Sequence, residues 1–419
     1  MRILIAGETY FPAFNGQAVF MTHLAEGLAG LGHQVTVITP NQNDSPRLVE
    51  KQGVQVHYLP SIPLTAIHPD AYFSPFAGIK IKNILREFQP EVVHIHDHYL
   101  VSWAAYWTAR RLGIPVVGTN HFMPQNLAPF IPIPAVLKSG LHKIMWVWMM
   151  MLYNHLDLVT GPSQTAVALM KNNGLRVPAY PVSCGIDLNH FHPDGKLNRD
   201  SWRARYGLAI DRTLFGFVGR VDQEKRLDTL IQALSLLNRR DLQLAVFGKG
   251  SALRKYQELA QKLGVHEQVR FTGFVPASDL VALLNSIDIF AMPSQAELLS
   301  IASLEAMACG KPMLVANAQA LPELVQEGIN GMLFQTGDAV DAARCMAELA
   351  DHPACWPGLG EASLRKVQPH SIEKVLLSYQ DIYQKVQPPP RSIRSHAVSP
   401  AQRQRRKASK KVHLKEPAD

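Results

Sequence analysis

Short apolar runs alternate with stretches in which apolar side chains recur every three or four positions, and this rhythm continues to about position 385. The runs fit strands buried on both faces and the stretches fit helices that cover them, so the pattern predicts an α/β chain with parallel sheets. In the first half it predicts strands at Ile3–Ala6, Gln34–Thr39, Val54–Tyr58, Val92–His96, Val116–Thr119, Leu158–Thr160 and Ala179–Pro181. The helices expected among them are Val19–Leu31, Ile79–Phe88, Val101–Leu112, Leu137–Asn154 and Gln164–Asn172. Near Asn189–Asp200 the pattern lapses into polar, Pro and Gly residues, a linker signal. The second half restarts with strands Leu214–Val218, Leu242–Phe247, Val269–Thr272, Ile287–Ala291 and Met313–Ala316. Helices are expected at Leu227–Leu237, Ser251–Leu263, Ser278–Asn285 and Ile301–Ala308, then short ones to Ala350 and a last one at Ile372–Lys385.

A chain of 419 residues suits two domains, and 47% apolar against 18% charged residues is a globular composition. The net charge of +8 would suggest nucleic acid, but its location argues otherwise. Nine Lys/Arg and two Asp/Glu lie between Arg391 and Asp419, so the remainder of the chain carries only +1. That Pro-, Ser- and Arg-rich segment cannot bury a core and is expected to be a disordered basic tail, with no nucleic-acid partner for the body. Cys184, Cys309, Cys345 and Cys355 are scattered, which fits neither a disulfide framework nor a zinc site. The chain opens on a strand without a secretory leader, and its longest apolar run, Ile144–Tyr153, is too short to span a bilayer. A cytoplasmic protein is expected.

In doubly wound sheets ligands bind beyond the carboxyl ends of the strands, so the loops there are the places to look for chemistry. The first, Glu8 to Ala18, contains Gly16, where the backbone could approach a phosphate or sugar; an ordinary turn is the competing reading. It lacks G-x-G-x-x-G, which disfavours a nicotinamide dinucleotide. The second, Phe217-Val-Gly219-Arg220-Val-Asp-Gln-Glu224-Lys225-Arg226, offers two cations, a fork and a point charge, that suit a diphosphate. The third runs from Pro293 to Pro312 and places Glu297 in a loop and Glu305 in the second turn of a helix starting near Ser300. Ionised carboxylates only accept hydrogen bonds, which suits sugar or ribose hydroxyls. Glu305 also lies within the apolar stretch Leu304–Ala308, where an unpaired charge is costly. His94-x-His96-x-His98 shares one strand face but has only Asp97 as company, so it is expected to edge an acceptor pocket and not to hold a metal.

These segments resemble the retaining GT-B glycosyltransferases of family 4, which includes phosphatidylinositol mannosyltransferase-like and diacylglycerol glucosyltransferase-like enzymes. The hallmark Glu-x7-Glu is matched by Glu297 and Glu305 and continued by Leu-Glu-Ala-Met-Ala-Cys-Gly-Lys-Pro. The resemblance covers roughly residues 1–385. It implies two Rossmann-like domains facing across a cleft: 1–190 for the acceptor and 200–370 for the nucleotide-sugar donor. A helix at 371–386 would pack back on the N-terminal domain, leaving 387–419 as the tail. By resemblance, Glu305 would bind the donor ribose, Glu297 the transferred sugar, and Arg220 and Lys225 the diphosphate. Gly16, Gly219, Leu299 and Ser300 would line the donor, and Phe274 and Val275 its base. His121 would contact the sugar and the reacting groups. Two departures stand out: Leu299-Ser300 replaces the usual Phe-Gly, and Lys225-Arg226 replaces Lys-Gly.

The resemblance further implies retention by front-face attack, without cofactor or metal, and a UDP-hexose as the default donor. A membrane lipid such as diacylglycerol is the expected acceptor, reached by peripheral contact with anionic membrane on the cytoplasmic face. Pro132, Pro134, Lys138, His142, Lys143, Trp146, Trp148 and three consecutive Met residues have the composition of an interfacial helix, with Phe73, Phe76, Ile79, Lys80 and Lys82 as a second patch. The competing reading is a core helix. Competing functions are a nucleotide-sugar 2-epimerase, a transferase to soluble acceptors in polysaccharide synthesis, and an inactive sugar- or lipid-binding module.

Overall fold

A computed structural model describes residues 1–11, 15–41, 48–63, 72–75, 77–124 and 135–387. Phe76, Pro132, Pro134 and the basic tail beyond Gln387 lie outside them. The first sheet has eight strands in the order Ala179–Pro181, Leu158–Gly161, Val116–Thr119, Val92–Ile95, Arg2–Ala6, Gln34–Pro40, Val54–Leu59 and Leu48–Lys51. All neighbours are parallel except the last pair. The second sheet is wholly parallel, in the order Val269–Gly273, Leu242–Phe247, Thr213–Val218, Ile289–Met292, Met313–Asn317 and Gly331–Gln335. In each sheet the first strand in sequence sits inside, and the chain winds outward from it in both directions. Ile3, Leu4, Ile5 and Ala6 are fully buried because helices cover both faces, which is why the run is apolar without alternation.

Several elements differ from expectation for local reasons. The first helix, Gly16–Gly30, starts three residues before the expected Val19, because the Asn15 side chain caps it by accepting from Ala18 N at 2.9 Å. Strands Leu48–Lys51 and Gly331–Gln335 and helix Trp356–Val367 were not expected. The two strands lie at sheet edges, where burial is partial and the apolar run is broken. Among the described residues no helix is long and apolar enough to cross a membrane.

The final helix, Ile372–Val386, buries Val375, Leu376, Tyr379, Ile382 and Tyr383, one stripe at helical spacing. It lies against the first helix so closely that a Cβ on Gly27 would come within 2.6 Å of Leu376. Beneath it, Tyr383 OH meets His94 Nδ1 at 2.8 Å, and Tyr379 OH reaches Thr119 and Thr160 at 3.2 and 3.1 Å. The last helix of the chain therefore closes the N-terminal domain over a buried polar cluster.

Candidate active site

Both sheets reverse their winding beside the first strand of each domain, and the motifs lie beyond the carboxyl ends of the strands at those two points. On the C-terminal side these are the loops after Thr213–Val218 and Ile289–Met292. Gly219 opens the first with φ +148, and a Cβ on Gly248, φ +152, would overlap the Gly219 carbonyl oxygen. The Gly248-Lys249-Gly250 loop, held by Val221 N donating to Lys249 O at 2.9 Å, was missed from sequence. Its signal was available: Gly-Lys-Gly directly after a strand.

The cations of this wall are each met by carboxylates. Lys225 Nζ lies 2.5 Å from Glu297 Oε1, with both side chains largely buried. Arg220 is 53% exposed and faces Asp222 at 3.3 Å and Glu224 at 3.7 Å. Burial pushes the Glu224 carboxyl up. Arg226, where the family has Gly, adopts the left-handed conformation at φ +52, which costs a non-glycine residue about 1 kcal/mol. Its guanidinium is held by Asp228 at 3.2 Å and Gln295 at 3.4 Å.

Glu305 stands in the second turn of Ile301–Ala308 and makes no side-chain hydrogen bond or ion pair among the described residues. It is partly accessible, yet enclosed enough that burial pushes its carboxyl up to about 8. Ser300, the other departure, caps this helix by accepting from Ser303 N at 3.2 Å. The hydroxyl thus takes one first-turn donor that a glycine would leave free, while Leu299 is buried in the core. Phe274 is exposed and Val275 half-buried just beyond strand Val269–Gly273.

On the N-terminal side, Asp97 is buried and receives Glu8 N at 2.6 Å, Gln17 Nε2 at 3.1 Å, Tyr99 N at 3.1 Å and Ser102 Oγ at 2.6 Å. Neither Glu8 nor Asp97 was assigned a role from sequence. His121 Nε2 lies 3.2 Å from His96 Nδ1, and the two rings stack at 5.4 Å. Burial pulls His121 down to about 3 and His98 to about 4, so both are neutral at physiological pH. His94 and His96 bond to Tyr, Thr and His partners, and among the described residues no group of His, Cys, Asp and Glu is arranged to hold a metal ion.

The two walls touch. Gly16 is the first helical residue, not a loop residue, and a Cβ there would lie 3.7 Å from Ile301 Cδ1. Met123 and Ala166 pack with Ala296 and Leu298, and the Glu323 carboxylate accepts from Gln164 N at 3.0 Å and Thr165 N at 2.7 Å. Glu297 O accepts from Ala320 N at 3.2 Å, tying the Glu297 loop to that crossing. The C-terminal wall thus carries basic side chains beside carboxylates and the N-terminal wall a neutral imidazole, groups that can grip a sugar diphosphate and steady a departing phosphate.

Beside the N-terminal wall lies an apolar surface. Helix Ala135–Tyr153 buries Trp146, Met149, Met150, Leu152 and Tyr153 but exposes Ile144, Val147, Trp148 and Met151. It is thus a core helix on one face only. Trp103 lies 6.2 Å from Trp148 and 6.3 Å from exposed Trp107, joining this face to helix Leu100–Arg111.

Residues 14–190 match the model of the family described as Glycosyltransferase Family 4, and residues 198–355 that described as Glycosyl transferases group 1. Among curated relatives, a GDP-mannose-dependent alpha-mannosyltransferase of Corynebacterium glutamicum is 26% identical over 83% of this chain and 80% of its own. A D-inositol 3-phosphate glycosyltransferase of Saccharomonospora viridis is 29% identical over 88% and 89%. An alpha-monoglucosyldiacylglycerol synthase of Streptococcus pneumoniae is 26% identical over 80% and 75%. Of solved structures, sucrose-phosphate synthase from Thermosynechococcus elongatus superposes with a TM-score of 0.76 at 20% identity, covering 92% of this chain and 98% of that one. HepE of Anabaena, in complex with UDP-glucose, superposes with a TM-score of 0.73 at 18% identity, covering 92% and 100%.

Proposed function

The chain belongs to the family 4 glycosyltransferases of GT-B fold, and from that premise we propose that it transfers a hexose from a UDP-sugar to a hydroxyl of a membrane lipid, with retention and without a metal. The observation that supports this reading is that the loops carrying Arg220 and Lys225 and carrying Glu297, with Glu305 in the helix that follows, leave adjacent strands at the turning point of the second sheet and are joined by the Lys225–Glu297 contact. In the proposed cycle Arg220 and the first-turn N–H groups of Ile301–Ala308 hold the diphosphate. Lys225 leaves Glu297 to join them, which frees Glu297 for the sugar hydroxyls. The acceptor hydroxyl attacks the anomeric carbon as the C–O bond to the phosphate breaks, its proton passing to the departing phosphate oxygen on the same face. His121 offers the nascent contact on the N-terminal side. HepE, which shares the fold, holds UDP-glucose, and the pneumococcal relative is named for a diacylglycerol product. A donor panel of UDP- and GDP-sugars with lipid and soluble acceptors, products identified by mass and anomeric configuration, tests the reading; inversion or a soluble-only product overturns it.

A calorimetric consequence follows from Glu305. Its carboxyl is protonated at pH 7 because burial raises it to about 8. Two ribose hydroxyls donating to it would favour the charged form and pull that value back down. UDP binding at pH 7 should therefore release about one proton, seen as a buffer-dependent heat, and Glu305→Gln should abolish the release. Equal proton release by the variant would remove Glu305 from the ribose site.

The face Ile144, Val147, Trp148 and Met151, with Trp107, is the proposed membrane contact on the cytoplasmic leaflet. Lys143 is exposed at its edge, and the basic residues of 391–419 would add attraction to anionic lipid at about 1 kcal/mol per charge. Ile144→Glu with Val147→Glu should abolish flotation with anionic liposomes while Tm holds, since both side chains are exposed. Undiminished flotation would remove this face from the contact.

A further inference from the structure

Three strands adjacent in the first sheet, Arg2–Ala6, Val92–Ile95 and Val116–Thr119, lead into loops with buried polar atoms that have no partner among the described residues, including Glu8 Oε2, His98 Nδ1 and Asn120 Nδ2. Neighbouring strands lie roughly 4.8 Å apart, so the row spans about 10 Å; with a hydrogen bond of about 2.8 Å at each end this leaves about 4–5 Å between ligand oxygens, the separation of hydroxyls in a glycerol or across a sugar ring. Buried polar atoms are rarely left unpaired, and a row of them marks a place where a ligand supplies the partners.

The protonation of this row follows from its hydrogen bonds. Asp97 accepts from four donors, two on each oxygen, and needs no proton of its own. Burial pushes the Asp97 carboxyl up, but the four donors pull it back down, whereas Glu8 has only backbone N–H donors. Asp97 is therefore the ionised member of the pair, and a second negative charge beside it is resisted. Glu8 therefore keeps its proton. Its Oε1 already accepts from Val101 N at 2.9 Å, so the proton resides on Oε2, the oxygen with nothing to donate to.

We propose that Glu8 is a neutral acid whose Oε2 donates a hydrogen bond to the acceptor, and that with His98 and Asn120 it selects an uncharged polyol headgroup. The inference rests on the N-terminal wall being the acceptor side of the proposed transferase. Burial, and then the Asp97 charge, push the Glu8 carboxyl up to about 8. The groups facing it are Asp97 and Tyr99 from the loop after Val92–Ile95 and the N–H groups of Val101 and Leu100 from the following helix. Among the described residues, neither Glu8 nor Asp97 is paired with a Lys or Arg. A phosphate in the same place would confront the Asp97 charge, so a phosphorylated cyclitol, the substrate class named for the Saccharomonospora viridis relative, is disfavoured here.

The sign of the pH dependence is fixed by this role. The donating form is the protonated one, so acceptor use is complete below the raised value and falls as pH rises through about 8. Glutamine keeps both an acceptor oxygen and a donor but cannot titrate.

The test uses the full chain with UDP-glucose and GDP-mannose as donors and three acceptors: dioleoylglycerol in vesicles, maltose, and D-myo-inositol 3-phosphate. Glu8→Ala should raise the KM for the neutral acceptor by about tenfold or more at pH 7, and Glu8→Gln should restore it to within about threefold. The wild-type kcat/KM should decline above pH 8, and that of Glu8→Gln should stay flat. Glu305 also titrates near 8, but its limb would persist in Glu8→Gln. Preference for dioleoylglycerol over maltose assigns the polyol to a lipid headgroup, and the reverse assigns it to a soluble sugar; either supports the proposal. UDP binding by calorimetry checks that each variant is folded. If Glu8→Gln is as impaired as Glu8→Ala, or Glu8→Ala matches wild type, Glu8 is not the donor, although the transferase reading stands. If the wild type prefers inositol 3-phosphate, the selection for an uncharged headgroup falls, and the lipid acceptor with it.

Discussion

Arg220→Ala should lower turnover by about 100- to 1000-fold, the scale of removing one donor from an oxyanion site, while Tm stays nearly unchanged. The two halves of this expectation come from the same geometry. The side chain is 53% exposed, so its pairs with the buried carboxylates of Asp222 and Glu224, at 3.3 and 3.7 Å, are screened by solvent on the cation side, and Asp222 keeps two further hydrogen bonds from Ser251 without it. A leaving diphosphate, by contrast, develops its charge in a closed cleft, where a fixed guanidinium is worth far more. Arg220→Lys keeps the charge but loses the two-pronged geometry, so it should recover only part of the rate. Turnover at saturating donor, compared with the melting curve, separates the effects. Near-wild-type turnover in Arg220→Ala would take the residue out of the diphosphate site.

Gly248→Ala should be the most damaging single methyl in the donor domain. The added carbon would overlap the Gly219 carbonyl oxygen, and the residue sits at φ +152, where a side chain is strained. Together these cost roughly 3 kcal/mol. The obstruction is backbone, which cannot rotate aside, so relief must come by moving the Gly219–Arg226 loop. Donor KM should rise together with the loss of stability. Gly264→Ala is the control: φ is +72 but no atom lies within 4 Å of the added carbon, so it should cost only about 1 kcal/mol and leave the donor site alone. Denaturant unfolding of both variants, with UDP affinity, checks the pair; equal losses would mean that loop packing is not the cause.

The βα rhythm was legible because parallel strands covered on both faces need unbroken apolar runs such as Ile3–Ala6 and Leu242–Phe247. Edge strands carry a weaker requirement: Leu48–Lys51 and Gly331–Gln335 were invisible, although the edge strands Ala179–Pro181 and Val269–Gly273 were legible. Glu297, Glu305, Arg220 and Lys225 were legible because charge stands out against apolar surroundings at fixed spacing. What sequence could not show is pairing. That Lys225 lies on Glu297, and that Asp97 collects four donors beside Glu8, depends on loops far apart in the chain. Gly248 was missed although Gly-Lys-Gly follows a strand directly, because the close approach of Gly219 opposite it comes from a loop distant in the chain.

The return of Ile372–Val386 to the first domain has a consequence for biosynthesis. His94, Thr119 and Thr160 are fully or almost fully buried, and their partners Tyr379 and Tyr383 leave the ribosome near the end of synthesis. At roughly 5–20 residues per second, about 200 residues of intervening chain take some 10–40 seconds to synthesise. Throughout that interval the nascent first domain presents an open polar seam, whereas the second sheet, drawn from one continuous segment, can close before translation ends. A chain truncated after position 370 and released should therefore yield a protease-resistant second domain attached to a first domain that is still cut.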